Sequence, residues 1–405
     1  MVTFFIAGRK SSEEMTVQAT TRLGPAHTFA ADRMFGLDLC RTIAVLLVVT
    51  GHMLQHSSPH PALAASGLIG LFGVDLFFCL SGFLIGRILL QESVGWADEK
   101  DEGLVRFWYR RWMRTLPLYF FIFLVSLRYD WTGATTLSSK LSYLVFAQNL
   151  TWPMPAFYGL TWSLAVEEWF YFAFPLLLLM FIGLGRSPRR AAATAIACFV
   201  LIPPLLRLIL TGPSSDYGSL DEGIRHVMIF RLDSIGFGVG IAYIGKWHTK
   251  LFGRLIRHWY LFLILVIACV SCTKMEYFGM SESRIVAALY FSLSSLAFAG
   301  LIPFFSQLKP SHFGLINRFI RYTSLISYSM YLVHVFAFLI GMAVLQKFGI
   351  FGLVYPNPWL IYPIFYVLIY LLSSGTYFVI EKPVLALRDK RTIHLGKSLP
   401  GRMQN

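Results

Sequence analysis

Apolar residues run along the chain in ten blocks, at roughly 36–56, 68–90, 112–127, 162–184, 191–211, 227–245, 258–272, 285–306, 323–346 and 359–380. A helix rising about 1.5 Å per residue needs about 20 residues to cross a hydrocarbon layer about 30 Å thick. The pattern predicts an all-α polytopic membrane protein of about ten transmembrane helices, with the blocks at 112–127 and 258–272 on the short side. Residues 128–161 are too long for a turn. Their apolar stretch LSYLVFAQNL, followed by WPMPAF, predicts an amphipathic or re-entrant piece lining a cavity. Pro175, Pro203 and Pro204 fall inside helical blocks and are expected to kink them. Residues 1–33 are polar, and their apolar patch Val2–Ala7 is too short for a signal-peptide core. They read as a cytoplasmic tail, residues 34–385 as one membrane domain and 386–405 as a second cytoplasmic tail.

Charge fixes the orientation. Taking both tails and alternate gaps as cytoplasmic puts 24 Lys or Arg on that side and 6 on the other, with Arg41, Arg87, Arg114, Arg207 and Arg231 inside the blocks. By the positive-inside rule both termini are cytoplasmic. The same asymmetry accounts for the net charge of +14 without nucleic acid. Composition agrees: 56% of residues are apolar and 14% charged, against about 25% charged in soluble domains. A soluble or disordered chain is excluded on those grounds. Five cysteines lie in apolar stretches, an odd number with no disulfide framework. Cys269 and Cys272 have CxxC spacing but no second pair, so no metal site is expected. A plasma (inner) membrane location follows most simply.

Each ionisable residue inside the membrane is a candidate functional group, because charge in hydrocarbon is costly. The candidates are Asp38, Arg41, His52, Asp75, Glu167, Glu168, Arg231, Asp233 and His334. Arg41 and His52, eleven positions apart, differ by only about 20° around a helix axis and by about 16 Å along it. Asp38 is one turn before Arg41. The alternatives are Arg41 snorkelling to lipid phosphate and His52 as a packed polar contact. Depth counting brings His52, Asp75, Glu167, Asp233 and His334 between the midplane and the outer third. One polar chamber is expected there; separate interhelical polar contacts are the alternative. Ser163, Glu167 and Tyr171 follow i, i+4 spacing, while Glu168 points about 100° away. Ser327, Tyr331 and His334 form another polar stripe. In RFWYRRWMRTLP, Arg111 and Arg114 share a face. They read either as a solvated basic cluster or as a polyphosphate site, since guanidinium forks match phosphate oxygens. No P-loop, HExxH or GxSxG pattern is present.

Six stretches, FGLDLCRTIAVLLVVTGH (35–52), GVDLFFCLSGFLIGRILL (73–90), RFWYRRWMRTLPLYF (106–120), WSLAVEEWFYFAFP (162–175), ISYSMYLVHVF (326–336) and EKP (381–383), together resemble the acyltransferase-3 family of membrane O-acyltransferases. The family's arginine and histidine eleven positions apart match Arg41 and His52. Its R-x-x-R pattern matches Arg111 and Arg114, and its WSLxxE stretch matches Ser163 and Glu167. The resemblance implies transfer of an acyl group, usually acetyl, from cytosolic acyl-CoA to a hydroxyl of a saccharide or other acceptor. No permanently bound cofactor is implied. About twenty residues follow the last helix, so the fused SGNH esterase-like domain of some relatives is not expected.

Joined to the residue reading, the resemblance implies a division of labour. Arg111, Arg114 and Arg41 hold the donor's phosphates. His52, a neutral imidazole, takes the acceptor's proton as general base or becomes acylated itself. Glu167 orients the imidazole. Ser81, Ser163, Tyr171 and Tyr331 are candidate oxyanion donors, and Asp38, Asp75, Glu168, Asp233 and His334 line the chamber. The partners expected are membrane lipid, acyl-CoA and a cell-surface or exported saccharide. Acylation of a small-molecule acceptor is the alternative within the family, and a proton-coupled transporter is the alternative outside it. No oligomeric state follows.

Overall fold

The structure is a computed structural model that describes residues 34–57, 69–92, 100–128, 136–155, 157–211, 221–277, 284–349 and 358–397. The described residues form thirteen α-helices and no strand. These are α1 (Phe35–Ser57), α2 (Ile69–Glu92), α3 (Lys100–Arg128), α4 (Leu137–Ser142), α5 (Trp162–Gly183), α6 (Pro188–Leu210), α7 (Leu232–Trp247), α8 (Thr249–Arg257), α9 (Trp259–Tyr277), α10 (Arg284–Phe305), α11 (Gly314–Lys347), α12 (Pro358–Thr376) and α13 (Lys382–Lys397).

Seven described helices are long and apolar enough to cross a membrane: α1, α2, α5, α6, α10, α11 and α12. The number is eight if α8 and α9, which meet at a 62° bend, form one broken span. Two of the ten apolar blocks fall short of that test. The block at 112–127 is the second half of α3, whose first half carries Arg106, Arg110 and Arg111. The block at 227–245 yields the 16-residue α7, about 24 Å long. Several outward faces are apolar and exposed, including Leu201, Leu205 and Ile209 on α6, Ile264 and Ile267 on α9, and Val367 and Leu371 on α12. Such a belt suits lipid. Helices α5 and α6 run unbroken through Pro175 and through Pro203 and Pro204.

Local signals set the helix ends. At the end of α5, Gly185 takes φ +79°, and its N–H and that of Arg186 return to Ile182 O and Phe181 O. This is the Schellman arrangement that satisfies terminal carbonyls. Pro188 then starts α6, where its missing N–H costs nothing. Residues 136–155 form a short helix, a 3₁₀ turn and an irregular stretch rather than a span. Buried Gln148 and Asn149 tie that stretch down by donating to Thr161 O, Trp162 O and His226 O.

Helices α2 and α7 pack backbone to backbone. A Cβ on Gly82 would lie 2.1 Å from Ile235 O, and one on Gly238 would lie 2.1 Å from Cys79 O. Small residues permit such approach where no hydrophobic effect drives helices together. Beside this seam lies a buried ion-pair cluster. Arg207 on α6 donates to Asp233 on α7 at 2.7 Å, and both side chains have zero exposure. Arg231, at the N-cap of α7, pairs with Asp75 on α2 and lies over the Phe291 ring, 4.5 Å from its centroid. Ser292 and Ser294 of α10 donate to Asp233 and Asp75. Four helices are thereby tied together.

Candidate active site

Helices α1, α2, α3, α5 and α11 surround a cavity of about 620 Å³. Each wall follows from helical spacing. On α5, Ser163, Glu167 and Tyr171 recur every fourth residue and all three line the cavity. On α2, Val74, Phe77, Ser81, Leu84 and Ile88 form one face. Four arginines from three helices line it as well, namely Arg41, Arg87, Arg111 and Arg114. Glu167 is the one carboxylate among the described lining residues.

Hydrogen bonds hold these groups. Ser324 donates to Asp38 Oδ1 at 2.7 Å and accepts from Arg41 at 3.3 Å, so Asp38 and Ser324 set the direction of the Arg41 side chain. Glu167 Oε1 accepts from Ser81 at 2.8 Å, and its Oε2 accepts from Tyr171 at 3.1 Å. Tyr331 donates to Leu160 O at 2.9 Å. A carbonyl only accepts, so the 2.6 Å contact between Ser163 and Tyr331 has Ser163 as donor. Glu168 turns away from the cavity and accepts from Thr115 on α3 at 2.7 Å. Tyr328 donates to Thr115 O at 2.6 Å, joining α11 to α3.

The residues singled out from sequence fall into three places. Arg41, Ser81, Arg111, Arg114, Ser163, Glu167, Tyr171 and Tyr331 line the cavity. Asp75 and Asp233 do not; they belong to the ion-pair cluster with Arg231 and Arg207. His52 and His334 form a pair outside the cavity lining, with ring centroids 5.0 Å apart. Tyr331 connects cavity and pair, its ring 6.1 Å from His334 and 6.3 Å from Phe77. Asp38 and Glu168 stand behind the lining as supports. Arg41 and His52 both meet α11, through Ser324 and His334, ten positions apart on that helix. Val48 O and His334 Nε2 lie within hydrogen-bond distance of His52 Nδ1, while both Glu167 oxygens accept from Ser81 and Tyr171. Arg87, Gln91, Thr115 and Tyr328 also line the cavity. Arg87 carries the signal of an arginine inside an apolar block; the other three carry none.

A sequence profile of the acyltransferase domain, acyltransferase-3 type, matches residues 34–378. The chain belongs to the acyltransferase-3 family. Peptidoglycan O-acetyltransferase OatA of Listeria monocytogenes is 27% identical over 204 residues, which are 46% of this chain and 31% of OatA. The candidate peptidoglycan O-acetyltransferase YrhL of Bacillus subtilis is 33% identical over 202 residues, 45% of this chain and 29% of YrhL. A candidate O-acetyltransferase of Staphylococcus aureus, SAS0844, is 31% identical over 167 residues, 36% of this chain and 24% of that protein. The matched stretches thus span less than a third of these relatives. No solved structure matches the chain. Family and helix composition together make this a multi-pass membrane protein of the O-acyltransferase class.

Proposed function

We propose that the protein moves an acyl group, acetyl in the first instance, from cytosolic acyl-CoA to a hydroxyl of a cell-surface or exported saccharide. The observation that carries this reading is one cavity lined by four guanidinium groups and by a Glu, Ser and Tyr constellation. A coenzyme A thioester is a polyphosphate joined to a long flexible arm. Arg111 and Arg114, with Arg41 and Arg87, suit its phosphates through charge-assisted forked hydrogen bonds. With both termini cytoplasmic, Arg41 lies in the second turn of an α1 that starts on the inner side, and the arginine-rich end of the cavity faces the donor's compartment. The arm then runs along α2 past Glu167 towards Tyr331, beyond which lies His52.

His52 acts as general base on the acceptor hydroxyl. The alkoxide attacks the thioester carbonyl, the C–S bond breaks, and the proton passes from His52 to the departing thiolate. Glu167, held by Ser81 and Tyr171, offsets the arginine charge within the cavity. Asp38 positions Arg41. The names of the relatives make peptidoglycan the first acceptor to try and the plasma membrane the place to look.

Comparative mass spectrometry of surface polysaccharide, with and without the gene, tests the reading. Loss of an ester-linked acyl group is expected. With purified protein, acetyl-CoA and soluble peptidoglycan fragments, His52→Ala should reduce transfer by about 100-fold or more, the usual contribution of a general base. Near-normal transfer by folded His52→Ala would remove His52 from that role.

A further inference from the structure

The His52–His334 pair determines which nitrogen of His52 is basic. His334 Nδ1 lies 2.8 Å from Tyr331 O and 3.1 Å from Met330 O. Carbonyl oxygens only accept, so this nitrogen carries the proton, and Nε2 of the neutral His334 ring keeps a lone pair. That Nε2 lies 3.2 Å from His52 Nδ1. His52 Nδ1 also lies 3.0 Å from Val48 O of its own helix, again a pure acceptor. His52 Nδ1 therefore carries a proton, shared between the Val48 carbonyl and the His334 ring. The reverse arrangement would set a bare His52 Nδ1 lone pair against the lone pairs of the Val48 carbonyl.

We propose that His334 is a positioning residue that locks His52 in the Nδ1–H tautomer and so makes Nε2 the nitrogen that takes the acceptor's proton. The inference rests on the reading of His52 as general base. In the reaction Nε2 receives the hydroxyl proton, the acceptor oxygen bonds to the acyl carbon, the C–S bond breaks, and the thiolate takes the proton from Nε2. While both nitrogens of His52 are protonated, the Nδ1–H bond to His334 becomes charge-assisted and stabilises the imidazolium that forms as the hydroxyl gives up its proton. A metal-bound histidine is oriented in the same way, through the partner of its other nitrogen. The α11 backbone supplies the fixed reference, since Met330 O and Tyr331 O point at His334 Nδ1 from one helical turn.

The test needs the full-length protein in nanodiscs. Nitrogen-15 NMR of histidine-labelled wild type, with His52 assigned by its loss in His52→Asn, should show His52 protonated on Nδ1 and bare on Nε2. In His334→Phe, which keeps an aromatic ring but removes one of the two acceptors of Nδ1–H, the Nε2–H form should become detectable beside the Nδ1–H form that Val48 O still favours. There kcat for acetyl transfer should fall by about 10- to 100-fold, the usual effect of removing such an outer partner, with KM for acetyl-CoA within about twofold of wild type. His334→Gln, whose side-chain carbonyl can accept from Nδ1–H, should recover most of the lost kcat. An Nε2–H tautomer in the wild type overturns the proposal without any variant. So does unchanged kcat in His334→Phe, or a Gln variant no faster than the Phe variant. Wild-type activity in His52→Ala would instead remove the base assignment itself. Loss there beside an unaffected His334→Phe removes only the tautomer lock.

Discussion

Two buried polar regions of the bundle meet the same sequence criterion and differ in kind. In the α2–α6–α7–α10 cluster, Arg207 and Arg231 face Asp233 and Asp75 one to one, and serines of α10 satisfy the carboxylates from the other side. The cavity between α1, α2, α3, α5 and α11 has four arginines to one carboxylate among its described lining residues, with Asp38 behind Arg41, and about 620 Å³ of space. Charge in hydrocarbon marks both. What separates them is balance: a cluster that neutralises itself needs no ligand, whereas a cavity with surplus positive charge is complementary to an anionic one.

The largest expected effect breaks the self-neutralised region. Asp233→Ala leaves Arg207 buried without its carboxylate and should cost about 3–5 kcal/mol, read as a lower Tm in detergent or as loss of folded protein. Replacing both partners together, Arg207→Met with Asp233→Leu, should be close to neutral by the same reasoning. Acyl transfer by the folded double variant should persist. If the double variant folds but is inactive, the cluster belongs to the reaction and the contrast with the cavity fails.

A smaller effect sharpens the other side of the comparison. Arg111→Ala and Arg114→Ala should each raise KM for acyl-CoA by about 10- to 100-fold, the loss of one hydrogen bond to a charged group, with little change in Tm. The penalty should vanish for an acyl-pantetheine donor, which has no nucleotide phosphates. Equal penalties with both donors would detach these arginines from phosphate recognition.

Much of this site is legible along the chain, because helical spacing determines what shares a face. Ser163, Glu167 and Tyr171 reach the cavity as their i, i+4 positions require, and Glu168, one position on, turns to Thr115. The shared face of Arg41 and His52 appears as two contacts with α11 ten residues apart. Depth and angle, however, belong to each helix alone. They cannot say that Asp75 meets Arg231 across helices 156 residues apart in sequence, nor that α2 and α7 close up on Gly82 and Gly238. Asp75 and Asp233 have the right depth for a chamber and the wrong neighbours. His334 likewise is readable as polar, but its role depends on a ring from α1. The span count suffers from a related limit of one-dimensional reading. An apolar block shows its hydropathy, yet α3 carries its block on a helix with a basic first half, and α7 stops at 16 residues.

The smallest effect concerns Ser163, whose sequence motif marks it as a candidate catalytic group. Its hydroxyl proton goes to Tyr331, whose own proton goes to Leu160 O. The relay ends on a backbone carbonyl, so the Ser163 proton is committed unless Tyr331 moves. Ser163→Ala should then cost about one hydrogen bond, 0.5–1.5 kcal/mol, or about a 2- to 12-fold fall in kcat/KM. Tyr331→Phe breaks the same relay one step later. Because the two residues act as a unit, the double variant should be little worse than the weaker single one. A Ser163→Ala loss of about 100-fold or more, with Tyr331→Phe near normal, would instead make the Ser163 hydroxyl an oxyanion donor in its own right. That outcome would place the reacting carbonyl on the α5 wall, beside Glu167, rather than beyond Tyr331.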